Sequence, residues 1–234
     1  MSAQHQFPQT RWTLVLSSGE EGSRREALEW LCQHYWQPLY AFLRRRGHNV
    51  AEAQDLVQGF LAVFLERRSM EKADPERGRF RSYLLGSLVK YLADRRDHQQ
   101  AASRGGGKQD LALSFAKVEE RYLLTPEHLS PESLYERQWA LALVERVVNL
   151  MRAEQASAGK GASFELLKPF LTADGDYESV SESLQMSEGT VRVAVHRMRR
   201  RYRELLMAEI AETVRDPGEV RNEIRRLIEI VSSG

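Results

Sequence analysis

Near its C-terminal end the sequence brings basic side chains onto one side of a helix: Arg192, His196, Arg197, Arg199, Arg200 and Arg203, within S-E-G-T-V-R-V-A-V-H-R-M-R-R-R-Y-R-E-L-L at 187–206. A guanidinium is a planar fork of donors suited to base edges and phosphate oxygens, so the chemistry on offer is recognition of nucleic acid. The element that must hold these groups is legible in the same stretch. Ser187 is a good N-cap, and Val191, Val195, Met198, Tyr202 and Leu205 recur at spacings of three and four, one apolar face of a helix. Upstream, Tyr177, Val180 and Leu184 mark a shorter amphipathic helix, and L-Q-M-S-E-G makes a tight turn between the two. Short helix, turn and long basic helix predict a helix-turn-helix whose second helix enters the major groove by its N-terminal end. The competing reading is a solvated face. Such faces normally mix signs for mutual pairing, whereas here Glu188 and Glu204 alone interrupt the basic run.

A second basic set follows the turn A-D-P-E-R-G-R-F. In the helix over 80–96, Tyr83, Leu84, Leu88, Tyr91 and Leu92 lie toward one side, while Arg79, Arg81, Lys90, Arg95 and Arg96 lie toward the other or at its ends. Aromatic rings interleaved with basic groups suit single-stranded nucleic acid, whose phosphates pair with Arg and whose bases stack. The alternative is that Phe80, Tyr83 and Tyr91 are core. It is the preferred reading for Phe80 and Tyr91, and Tyr83 is left open between the two. A third surface is acidic. The helix over 51–67 carries Leu56, Val57, Phe60, Leu61, Phe64 and Leu65 as a wide apolar face, central to its domain. Its remaining stripe reads Glu52, Asp55, Gly59, Ala62 and Glu66: either a solvated edge or a docking surface for a basic protein partner, approached closely over small residues.

The 234 residues allow two small domains or one large one. Net charge is only +1, so basicity is local and acid is available for another partner. Cys32 is the single cysteine, which excludes an intrachain disulfide; its apolar helical setting predicts a core residue, and a reducing cytoplasm is the expected location. No membrane-length apolar run and no signal-peptide core are present. Catalytic chemistry finds no support. Lys108 and Lys160 lack the glycine spacing of a phosphate loop, and His5, His34, His48, His98, His128 and His196 are scattered with no cysteine partner. No enzyme activity, metal or cofactor is expected.

The positioning elements read as all-α. A lead-in helix over 10–16 is anchored by Trp12, Val15 and Leu16; an amphipathic helix over 24–35 follows, and Pro38 restarts a helix that stops at Gly47. The polar stretch over 99–108 is a domain boundary, and Leu111, Leu113, Phe115, Val118, Tyr122 and Leu123 predict that the connection beyond it grips a surface. Ser130 and Pro131 start a long helix striped by Leu134, Trp139, Leu141, Val144, Val148 and Met151. A short helix over 164–171 is interrupted by Pro169, and a terminal helix from Pro217 carries Val220, Ile224, Leu227, Ile228 and Val231. The predicted division is a helical domain over 10–99, a flexible linker over 100–130, a helix-turn-helix domain over 131–208 and an extension helix over 209–234.

Three stretches resemble the extracytoplasmic-function (ECF) group of bacterial sigma-70 family sigma factors: A-E-A-Q-D-L-V-Q-G-F-L-A-V-F, R-G-R-F-R-S-Y-L-L-G-S-L-V-K-Y-L-A-D, and the run from Y-E-S-V-S-E-S-L to R-R-Y-R-E-L-L. The resemblance implies that Glu52, Asp55 and Gln58 dock on the clamp helices of the largest subunit of core RNA polymerase, with the flap of the second largest subunit as a further contact. It implies that Arg79, Arg81, Ser82 and Tyr83 lie beside the melted −10 element, with Lys90 and Arg95 on phosphates. Ser187, Thr190, Arg192, Val193, His196 and Arg197 would read the −35 duplex, Arg199 and Arg200 would hold its phosphates, and the linker would thread toward the RNA exit path. The partners implied are core polymerase and promoter DNA, with a separate anti-sigma factor or a kinase as regulators. The alternative is a stand-alone helix-turn-helix regulator that binds operators without polymerase. Two departures stand out. Gln54 and Gly59 occupy positions where many family members carry acids, which implies a clamp affinity that is weaker or dependent on an input such as phosphorylation. The helix after Pro217 also runs past the usual family end; it either packs on its own domain or masks a DNA or polymerase face.

Overall fold

The computed structural model describes residues 21–66, 79–101, 115–214 and 217–232, and among these every regular element is helical, as the periodicity predicts. The expected helix over 10–16, the turn before Arg79, and Leu111 and Leu113 lie outside the described residues. Two compact units are formed. The first comprises the described residues up to Ala142 together with those from Ala211 onward; the second is Leu143–Ile210. This differs from the division read in the sequence, because the start of the long helix and the terminal helix both pack with the first unit.

In the first unit α1 (Glu21–Arg45) contributes Leu31, Tyr35, Leu39, Tyr40, Phe42 and Leu43 to the core. α1 is continuous through Pro38, where a restart was expected. The missing amide costs one helical hydrogen bond, but buried residues on both sides of Pro38 hold the helix together, so packing overrides the local breaker. Gly47 ends the segment with φ +92, the left-handed geometry anticipated for it, and its amide donates to the Arg44 carbonyl at 3.0 Å. α2 (Val50–Glu66) buries Ala53, Val57, Phe60, Leu61 and Phe64, and α3 (Phe80–Ala101) adds Phe80, Leu84, Leu88 and Leu92. Phe80 is core: its ring lies 5.3 Å from Tyr35 and 5.7 Å from Trp30.

α4 (Phe115–Leu123) lies within the predicted flexible linker, yet it is helical and seated on α1. Phe115 sits 5.0 Å from Trp36 and 5.5 Å from Tyr40, and Val118 is buried. Glu119 accepts from Tyr40 Oη at 2.6 Å and from Arg44 Nε and Nη2 at 3.0 and 2.7 Å. Arg45 donates to the carbonyls of Pro126 and Glu127 and to Thr125 Oγ1, which secures the stretch after α4. The expected grip is therefore made, by an apolar pair and a charged fork together. Leu123 takes no part and stays exposed.

α5 (Pro131–Ser157) starts where Ser130 Oγ accepts from the Ser133 amide at 3.1 Å, with Pro131 as the first helical residue. Its buried positions include Leu134, Trp139 and Met151 as expected, but Leu141 is exposed and Leu143 and Val147 are buried instead. α6 (Gly161–Leu167) gives way at Pro169 to a 3-10 turn, Lys168–Leu171. The second unit closes with α7 (Tyr177–Leu184) and α8 (Glu188–Ala211), around a core of Met151, Phe164, Leu167, Phe170, Val191, Val195 and Met198. After α8 the chain returns to the first unit and ends in α9 (Val220–Ser232), which buries Val220, Glu223 and Leu227.

Candidate nucleic-acid interfaces and docking face

α8 is built as its spacing dictates. Val191 and Val195 are buried, Met198 nearly so, and Tyr202 and Leu205 pack on the same cluster. Asp176 caps α7 by accepting from the Glu178 and Ser179 amides, Gln185 ends it at φ 54, and Ser187 Oγ accepts from the Thr190 amide at 3.2 Å to start α8. Residues 185–187 thus turn the chain within three positions, with both helix ends satisfied. Arg192, Val193, His196, Arg197 and Arg200 are exposed on the side away from the core, next to Ser187 and Thr190 at the N-terminal end.

Within that face the acids are not idle. Glu188 pairs with Arg192 at 3.2 Å, and the Arg192 guanidinium lies 4.3 Å from the Tyr177 ring centre. Glu204 takes Arg200 at 3.0 Å. Arg201, on the flank, is clamped by Glu154, and this hydrogen bond holds the Glu154 carboxyl below its ordinary range. No ion pair to His196 or Arg197 forms among the described residues. Arg199 differs from the expectation of a phosphate contact. Its Nε donates to the Phe170 carbonyl at 2.7 Å, and its Nη2 to the Ala173 carbonyl and Asp174 at 3.1 and 3.0 Å, so it ties α8 to the turn before α7.

Of the basic set on α3, Arg79 and Arg81 alone share a partner among the described residues. Lys90 and Ser82 are exposed, and Tyr83 is half-buried with its ring 6.1 Å from Phe64. Arg95 Nη1 donates to Tyr91 Oη at 3.2 Å, and Tyr91 packs on Phe60. Arg81 is 1% exposed. Its Nε donates to Glu136 Oε2 at 2.9 Å, its guanidinium lies 4.3 Å from the Trp139 ring centre, and its Nη2 is 2.5 Å from Glu223 Oε1 on α9. Arg79 Nε meets the other oxygen of Glu223 at 2.8 Å. Burial draws the Arg79 guanidinium below its ordinary range, with Glu223 opposing the shift. Glu136 and Glu223 were not singled out in the sequence, and Trp139 was read only as part of the apolar stripe of its helix. The signal for them was Arg81 itself, which stands three residues before Leu84 and seven before Leu88 on the apolar stripe, where a charge requires a buried partner.

On α2, Glu52 closes a capping box. Its carboxylate accepts from the Asn49 amide at 3.1 Å, while Asn49 Oδ1 accepts from the Glu52 amide at 2.9 Å. Asp55 is exposed and Gln58 half-buried on the same helix. Gly59 has an internal use: a Cβ built there would meet Tyr91 Oη at 2.7 Å, so the missing side chain is what lets the phenol approach.

No group of three or more His, Cys, Asp or Glu side chains is placed to hold a metal among the described residues, and no described helix is long and apolar enough to cross a membrane. Residues 31–101 match the family described as Sigma-70 region 2, a span that runs from Leu31 in α1 through α2 to the end of α3. No curated protein and no solved structure matches the chain. The apolar faces of α1, α2 and α3 thus lie in a stretch similar to Sigma-70 region 2, a likeness that supports a sigma-70 family reading of the chain.

Proposed function

We propose that the chain is an ECF-type sigma factor that docks on core RNA polymerase through α2, reads the −35 element with α8 and engages the melted −10 element with the start of α3. The observation that carries this reading is the exposed face of α8, where Arg192, Val193, His196 and Arg197 stand clear of the buried stripe, on a chain that also holds a stretch similar to Sigma-70 region 2. In this reading α7 and α8 are the two helices of a helix-turn-helix. Ser187 and Thr190 lie at the end that leads into the major groove, and Arg200 is set for a backbone phosphate. Arg199 then acts through the fold, by fixing the turn before α7 against α8.

The docking face is Glu52, Asp55 and Gln58, directed at the clamp helices. A near-neutral chain suits this division of labour. The polymerase is the tight partner, and once docked it raises the effective concentration of each DNA reader for its element. The test is run-off transcription with core polymerase and a random promoter library. Specific start sites that require both core and this chain are expected. A DNA footprint of the same strength without core would replace this reading with that of a stand-alone regulator.

A further inference from the structure

Arg79 and Arg81 form an anion site that is already filled from within. Both guanidinium groups face the Glu223 carboxylate, one on each oxygen, at 2.8 and 2.5 Å. Glu223 is 1% exposed, so the filling is a sealed contact. The seal is imperfect in a telling way. Arg81 Nη1 and Nη2 and Glu223 Oε1 make no hydrogen bond although all are buried, because the Arg81–Glu223 approach is close but poorly aligned. Buried charges in such a state carry a desolvation penalty that their attraction only partly offsets. A phosphate, with oxygens on every side, satisfies a guanidinium fork more fully than this single carboxylate does.

The helix that carries Glu223 is seated along one face, most deeply over its first two turns. Val220, Glu223 and Leu227 are buried, but Ile228 is 61% exposed, and a cavity of about 730 Å³ opens between α3, α5 and α9. Its lining includes Ser82, Leu85 and Val89 of α3, Glu136 of α5, and Arg226 and Ile230 of α9. α9 is therefore fully buried only along its first two turns, and its last turn, with Ile230 and Val231 half-buried, is seated less deeply beside the cavity.

We infer that α9 is an intramolecular latch: Glu223 occupies the phosphate site of Arg79 and Arg81, and single-stranded promoter DNA displaces it. This rests on the reading of α3 as the −10 element binder and adds its regulation. The tethered carboxylate competes with DNA at high effective concentration, so the free chain is held off nucleic acid until polymerase supplies the opened strand.

The test uses the full chain and a short fluorescent single-stranded oligonucleotide of random sequence. Glu223→Gln is expected to tighten binding about tenfold, within the range of ordinary coupling between competing sites. Glu229→Gln, which removes the same charge from the same helix, is expected to leave it near the native value. Equal gains from both variants, or none from a folded Glu223→Gln chain, would overturn the latch. If Glu223→Gln does not fold, hydrogen exchange on the native chain decides. The α9 amides should be protected in the free chain and lose protection when core polymerase and promoter DNA are added together; protection that persists through initiation overturns the proposal. A chain that neither binds core nor initiates refutes the sigma reading instead, while the oligonucleotide comparison still judges the latch.

Discussion

Arg81 Nη2 and Glu223 Oε1 stand 2.5 Å apart with each side chain 1% exposed, so opposite charges from α3 and the last helix are sealed together away from water. Removing Arg81 leaves the buried Glu223 with Arg79 as its remaining cation and one oxygen without a counter-charge. Arg81→Ala is expected to cost about 3–5 kcal/mol of stability, the range for breaking a buried pair. It also leaves Glu136 without its donor and removes the cation that stacks on Trp139. The paired replacement Arg81→Met with Glu223→Leu should recover part of this loss, because apolar groups of similar size carry no desolvation penalty, while the more exposed Arg79 and Glu136 lose a partner but keep water within reach. Urea denaturation of the three chains is the measurement. Equal loss in the single and paired variants would show that the charge contact is not what matters.

Gly59 and Tyr91 are coupled by space. Alanine stabilises a helix interior by about 1 kcal/mol over glycine, but a Cβ at position 59 meets Tyr91 Oη at 2.7 Å. Gly59→Ala alone should therefore gain little or lose stability. In a Tyr91→Phe background the same change should realise the full helical gain. Thermal unfolding of the double-mutant cycle reads this directly, and additive effects would exclude the contact.

The α4 anchor is acid-sensitive. Burial works to raise the Glu119 carboxyl, but hydrogen bonds from Arg44 and Tyr40 outweigh it and hold the folded value below the ordinary one. The sign follows: the stabilisation is fully present above the unfolded carboxylate range, about pH 4.3, and is lost as pH falls through the depressed folded value. Glu119→Gln should remove that part of the acid dependence. Stability measured from pH 7 down to pH 3 should fall less steeply in the variant than in the native chain, and parallel curves would contradict the assignment.

Arg197 and Arg199, two positions apart on α8, should part company. Arg197→Ala is expected to keep native stability and to weaken promoter binding by the polymerase complex by about 1–3 kcal/mol, as loss of a specific contact does. Arg199→Ala removes donors from the Phe170 and Ala173 carbonyls, so it should lower the melting temperature of the chain. Melting curves beside gel-shift titrations at two salt concentrations separate the two roles.

Cys32 is half-buried rather than fully core, and burial, helped by Glu29, pushes its thiol up to about 11. The thiolate is thus scarce near neutral pH. Alkylation by iodoacetamide at pH 7.5 should be slow in the native chain and accelerate in denaturant; equal rates would show that the helix does not shield the sulfur.

Much of this organisation was readable without coordinates, because it depends on neighbours in sequence. The apolar stripe of α8, the Ser187 cap, the left-handed Gly47 and the core role of Phe80 all follow from spacing within a few residues or from one residue's backbone freedom. What escaped were pairings between residues distant in the chain. Pro38 reads locally as a break, yet burial on both sides carries the helix through it. Gly59 reads as a small residue on an open stripe, and Tyr91 of the next helix turns out to occupy that space.

Helix identity, the class of fold and the basic face of α8 are consequences of local periodicity, so composition and order sufficed for them. Which charges remain available is a different kind of fact. Arg81 and Arg197 are the same side chain in similarly basic runs, but Arg81 meets Glu136, Trp139 and Glu223 while Arg197 faces outward. That difference arises because burial and Coulomb partnership act through space, between elements whose meeting only the folded chain defines.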